Sequence, residues 1–233
     1  MAYPNVAWWS ALRGGASASV GEDVFNLSTV DCGTLSLPSG KLFACDPFVV
    51  MERGGNFAVN APPGEHKVIV TLADVSKPGE PEHIREAYAT ILFNPAAAET
   101  TRRIITPSAE GPTPPEMDAE GGYIGFGVDT GTACFGDDVT IARGMPDPQA
   151  VDWFEEIFET GAPGSWFDRL DDPDHIRDGL ANIALPEGRD GDNILIFHSG
   201  WGDGVYPLIG GYDAEGRLIR AHIDFFVITN FDH

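Results

Sequence analysis

The chain has 233 residues, 42% of them hydrophobic and 10% aromatic, which is enough for one large domain that folds without staples. Its 36 acidic residues face only 14 basic ones, giving a formal net charge of -22. A field of that sign repels phosphate backbones and anionic lipid surfaces, and so excludes nucleic-acid binding through a basic face.

An acidic surplus serves solubility, draws a basic partner, or gathers carboxylates around a cation. The start, MAYPNVAWWSALRGG, lacks a basic segment followed by a continuous apolar run, and no apolar stretch reaches membrane-spanning length. The expectation is a protein with no signal peptide and no membrane span. Cys32, Cys45 and Cys134 have neither C-x-x-C nor zinc spacing. Each lies in an apolar, strand-like context and reads as a reduced thiol acting as a small hydrophobe, which points to the cytoplasm.

In chain order, residues 1–24 read as a mobile lead-in, with Gly14, Gly15 and the small residues Ala16 to Ser19. Residues 25–233 read as a single α+β domain. FNLSTV and TLSL are short strands around Asp31–Gly33, and Ser39–Gly40 in LPSGKLFACDPF marks the turn of a hairpin or tight meander. Pro62–Gly64 precedes a strand in which Val68, Val70 and Leu72 share a face. EHIREAYATILF fits helix or strand by pattern, and its β-branched and aromatic content favours a strand paired with the one before it. The Pro-rich stretch 106–122 reads as a loop, either on the surface of one domain or between two lobes. Asp147 and Pro148 predict a helix carrying Val151, Phe154, Ile157 and Phe158 and ending at Gly161. A second, short helix is predicted from Ser165 to Leu170. NILIFHSG reads as a buried strand. The segment from Tyr206 to Ile228 reads as a hairpin turning at Asp213–Gly216, with Leu218, Arg220, His222 and Asp224 on one face of its last strand. The predicted architecture is mainly antiparallel β-sheet, sandwich-like, with about two helices packed on one side.

Two loops stand out as candidate chemistry. In GVDTGTACFGDD, Asp129 would project from a strand end, with Thr130 and Gly131 turning the chain and Asp137 following. In HSGWGDGVYP, Ser199, Gly200, Trp201, Gly202, Asp203 and Gly204 form a glycine-rich turn that could present backbone groups to a ligand, with Trp201 as a lid and Tyr206 just beyond. Carboxylates, hydroxyls and loop carbonyls are the ligands of Mg²⁺ and Ca²⁺, so Asp129, Asp137 and Asp203 form the candidate cation set. The same residue types are also ordinary turn formers that bond their own backbone. His198, beside the glycine loop, and His222, near Asp224, are the histidines placed for acid–base work.

Sharper motifs fail. HSGWG has Phe197 where the nucleophile elbow needs glycine, and no phosphate-binding or dinucleotide fingerprint is present. DTGT resembles the turn of aspartic proteases, but it occurs once, so a homodimer would be needed.

LPSGKLFACDPF, GVDTGTACFGD and SGWGDGVYPLIGGYDAEG, with the closing HIDFFV, resemble the bacterial family known as domain of unknown function 4241, in the family's order from about residue 34 onward. The recurring positions match as Asp129, Gly131, Cys134, Asp137, Ser199, Gly200, Gly202, Asp203, Gly204 and Tyr206. The resemblance implies bacterial origin and one shared domain, and brings no activity with it.

Two functions stay open from the sequence. In one, the two loops converge on a divalent cation or a small polar ligand, with Asp129, Asp203 and His222 as catalytic groups of a metal-assisted hydrolase. In the other, the protein is a non-enzymatic acidic binder, of the immunity or inhibitor type, that neutralises a basic protein.

Overall fold

The computed structural model describes residues 11–51, 57–105 and 125–228. The Pro-rich stretch 106–122 and the first ten residues lie outside them. Strands in chain order are β1 (Ser17–Val20), β2 (Asp23–Leu37), β3 (Lys41–Cys45), β4 (Phe57–Asn60), β5 (Gly64–Asp74), β6 (Ile84–Leu92) and β7 (Thr101–Ile104). They continue with β8 (Phe126–Val128), β9 (Thr132–Asp137), β10 (Leu180–Ala184), β11 (Asn193–His198), β12 (Gly204–Tyr206), β13 (Leu208–Tyr212) and β14 (Leu218–Asp224). Helices α1 (Asp138–Gly144) and α2 (Trp166–Leu170) flank a π-helical turn, Phe154–Phe158.

The strands form a seven-stranded sheet, β1-β2-β5-β6-β14-β13-β7, and a five-stranded one, β10-β11-β9-β3-β4, with β8 and β12 as a separate pair. Among the described residues all the pairings are antiparallel. Val68, Val70, Ala89, Ile91, Ala221 and Ile223 of the large sheet pack on Leu42, Phe135, Leu195 and Phe197 of the small one. Residues alternating with these on the small sheet, among them Cys45, Cys134, Ile194 and Ile196, pack against Ile141, Trp153, Phe158 and Trp166 of the helical layer. The small sheet is thus covered on both faces, which is why NILIF runs apolar without alternation. The fold is α+β with β dominant, and its helices lie on one side of the small sheet.

Local physics explains where this departs from the sequence reading. Ser17–Val20, within the stretch read as a lead-in, pairs with β2 as an edge strand. The two short strands expected around Asp31–Gly33 are one strand with a register shift between Asp31 and Thr34, where Gly33 takes φ 86°. Ser39–Gly40 does turn the chain, but it carries it from one sheet to the other rather than closing a hairpin. The helix predicted from Asp147 is reduced to a capped turn, in which Asp147 accepts from the N–H of Gln149, followed by the π-helical turn. Trp153 and Phe158 are both buried anchors. Five residues of α-helix would leave them about 140° apart. Widening the turn, with the Glu159 N–H donating to the Phe154 carbonyl at 2.8 Å, turns both toward the sheet. The β5–β6 and β13–β14 pairs and α2, capped by Ser165, form as the pattern predicts.

The sheets are also tied by polar groups. Asn193 accepts from Ser36 N–H at 2.9 Å and donates to the Thr34 carbonyl at 2.7 Å, while Asn182 donates to the Cys32 carbonyl at 3.1 Å. The cysteines are free and buried, with the Cys45 and Cys134 thiols 3.6 Å apart across a register pair.

Candidate functional site

His198, the last residue of β11, pairs with Thr132, the first of β9, so the two glycine loops leave the small sheet side by side. They are tied directly. Ser199 N–H donates to the Gly131 carbonyl at 2.9 Å, and Gly131 N–H donates to Asp203 Oδ1 at 2.9 Å. The Tyr206 hydroxyl, buried beneath, donates to the Ser199 and Gly202 carbonyls at 2.9 and 2.6 Å, and Ser199 Oγ donates to the latter at 2.7 Å. Gly131, Gly200 and Gly202 hold φ of 65°, 64° and 108°. At Gly200 a side chain would also press on Phe225 and Val227, so glycine is required there by space as well as by conformation.

The first loop hangs on a residue that sequence spacing did not single out. Asp46, fully buried, accepts from the N–H groups of Asp129 and Thr130 at 2.9 and 2.8 Å and from the Thr130 hydroxyl at 2.9 Å. That hydroxyl in turn lies 2.7 Å from Thr132 Oγ1. Asp46 therefore does within the loop what a bound ion would do: it neutralises inward-pointing donors.

The cation set is not assembled. Asp137 lies at the far end of β9, about 17 Å along the strand from Thr132. There it caps α1 by accepting from Thr140 N–H at 2.9 Å, and it accepts from Ser39 N–H and Oγ at 2.9 and 2.7 Å. Asp203 is committed to Gly131, while Asp129 is exposed. Among the described residues no group of three His, Cys, Asp or Glu is placed to hold a metal.

His222 belongs elsewhere. It alternates with Ala221 and Ile223 of the core, so it faces the outer side of the large sheet, where it is fully buried. Its Nδ1 lies 2.8 Å from Thr90 Oγ1 and its Nε2 3.1 Å from Glu99 Oε1. Glu99 also receives Arg102 through two bonds of 2.7 and 2.8 Å and Arg220 at 3.2 Å. Burial pushes the His222 imidazole down to about 4, leaving it neutral. Burial pushes Glu99 upward, but the bonds from His222 and Arg102 outweigh it and hold the carboxyl at about 2. The polar face of β14 thus carries a buried internal network.

Beside the glycine loops the structure brings together groups the sequence did not connect. Glu86, on β6, has a side chain only 4% exposed and lies 3.9 Å from the Arg177 guanidinium. Burial pushes its carboxyl up to about 7, against the pull of Arg177 and Arg85. Gly179 at φ 84° leaves room for the His198 ring, and its carbonyl accepts from His198 N–H at 2.8 Å. Burial lowers the His198 imidazole, Asp178 and Asp171 oppose that, and Arg85 and Arg177 reinforce it. Arg85 donates to His83 Nε2 at 2.7 Å, and its guanidinium sits 5.5 Å from the Trp201 ring centroid. Trp201 is 55% exposed. Arg85 and Arg177 therefore act on both a buried carboxyl and a half-buried imidazole, and Arg85 lies against an exposed aromatic surface. Guanidiniums so placed can receive an anion, and Glu86 is held ready to exchange a proton near neutrality.

Fold and site together define a β-sandwich with a one-sided helical layer and a pair of cross-tied glycine loops at one end. The chain belongs to the family described as Protein of unknown function (DUF4241), whose model matches residues 35–223. No curated protein and no solved structure matches it.

Proposed function

We propose that the chain binds a small anion at this end of the sandwich, between Arg85 and Arg177, and that Glu86 and His198 exchange protons with it. One observation carries the reading: buried Glu86 lies 3.9 Å from the Arg177 guanidinium and next in sequence to Arg85, whose guanidinium sits 5.5 Å from the ring of exposed Trp201. A Glu86 that is largely protonated below pH 7 does not repel an anion, and it can donate to one. The glycine loops with Asp46 and Asp203 serve as the scaffold that fixes His198 and Trp201. This departs from the metal-assisted reading, since the aspartates bond backbone.

The test is a titration of inorganic phosphate, glycerol 3-phosphate and succinate into the full chain, following the Trp201 indole and His198 ring signals by NMR. At least one of the three is expected to shift both signals saturably, with affinity at least tenfold weaker in Arg177→Gln. Silence from all three would overturn the reading.

A second reading rests on another observation. Trp201 and Val205, 55% and 50% exposed, flank Asp203 on a chain of net charge -22, which suits a basic protein partner. Arg177→Gln separates the two, because it removes small-anion binding under the first and leaves a Trp201-centred contact intact under the second.

A further inference from the structure

Away from the loop end, a cavity of about 550 Å³ opens between the π-helical turn, α2 and the edge strand β10. That volume is in the range that takes small ligands. Its walls include apolar Ile157 and Trp166, acidic Glu156 on the π-helical turn and basic Arg169 on α2. Arg169 is exposed and makes no ion pair among the described residues. π-Helical turns are rare and frequently mark functional positions.

The edge of β10 supplies the remaining recognition groups. Backbone groups of alternate residues in an edge strand point away from the sheet. At Asn182 His175 faces those groups, its Nε2 lying 3.2 Å from the backbone nitrogen and 3.1 Å from the backbone oxygen and bonding one or the other according to its tautomer. Two residues on, Ala184 has the same phase, is exposed, and lines the cavity, so its N–H and C=O face the open space. A donor and an acceptor on a strand edge, an apolar floor, and one charge of each sign match one ligand chemistry. We propose that this cavity binds a peptide of two or three residues with free termini, held extended. Its backbone pairs with Ala184, its carboxylate meets Arg169, its ammonium meets Glu156, and a side chain lies on Ile157 and Trp166.

The test uses the full ¹⁵N-labelled chain and the peptide Ala-Leu-Ala, free at both ends or acetylated and amidated, following the Ala184 amide and the Trp166 indole. The free peptide should shift both signals saturably. The blocked peptide, and the free peptide on Arg169→Gln or Glu156→Gln, should each bind at least tenfold more weakly. Both substitutions are on exposed side chains, and an unchanged melting temperature verifies that the fold is intact. No saturable shift at these two positions, or equal affinity for the free and blocked peptides, would overturn the proposal.

Discussion

Asp46 holds the 129–131 turn from 83 residues away, and its full burial leaves no water to take its place. Replacing it with alanine strands the N–H groups of Asp129 and Thr130, and urea denaturation should show a loss of about 3 kcal/mol. Asp129→Ala, which removes an exposed side chain, should change stability by less than about 0.5 kcal/mol. The residue types in the two loops were legible in the sequence, because glycine beside aspartate and threonine signals a turn wherever it occurs. Which carboxylate does the holding was not legible. Asp46 sits in ACDPF with no informative spacing, and its task arises only when β3 and β9 pair. Glu86 was hidden for a related reason. The register shift between Thr71 and Leu72 resets the alternation of β6, so simple counting does not reveal that a charged residue in IREAYATIL is buried.

At the scale of elements, the helical layer is held by a few large side chains rather than by helix propensity. Neither α-helix exceeds seven residues, too short to stand alone. Phe158 stacks edge-on with Phe48 and Trp153 at 5.1 and 6.2 Å. Phe158→Ala should therefore cost about 3–5 kcal/mol in chemical denaturation and should loosen the whole layer, seen as faster amide exchange at α2 and β10. The strands were largely readable, β5 and β14 from period-two patterning, β6 from its β-branched and aromatic content and β13 from the turn at Asp213–Gly216. The helices were readable only at their caps. Asp147 caps a turn and α2 starts at Ser165 as expected, but the chain between Asp147 and Gly161 follows its buried anchors instead of the 3.6-residue period. Asp137 is the converse case: its cap preceded a helix that the pattern did not reveal, and the carboxylate was read as a ligand instead.

For the molecule as a whole, two buried titrations oppose each other. Glu86 binds its proton more tightly folded (about 7) than at its ordinary 4.5, so its contribution is fully present below pH 4.5 and is lost as pH rises toward 7. His222 is held down to about 4 from an ordinary 6.5, so its contribution is present above pH 6.5 and is lost as pH falls toward 4. Each shift corresponds to about 3 kcal/mol, and between pH 4.5 and 6.5 the two slopes largely cancel. Glu86→Gln should unmask the histidine, so that stability measured by urea denaturation climbs by about 3 kcal/mol across that window. The same linkage governs binding. An anion beside Glu86 and His198 favours their protonated forms, so the affinity for phosphate analogues should fall as pH rises through 7, and Glu86→Gln should flatten that dependence. The sheet order has a consequence of another kind. β14 lies between β6 and β13, yet it is synthesised after every strand it joins. On the ribosome the β1-β2-β5-β6 part of the sheet can form early, but its edge at β6 stays unpaired until the β13–β14 hairpin emerges. During that interval β6 is where a nascent chain would pair wrongly with a neighbour, and the speed with which the last hairpin docks sets the yield of native protein.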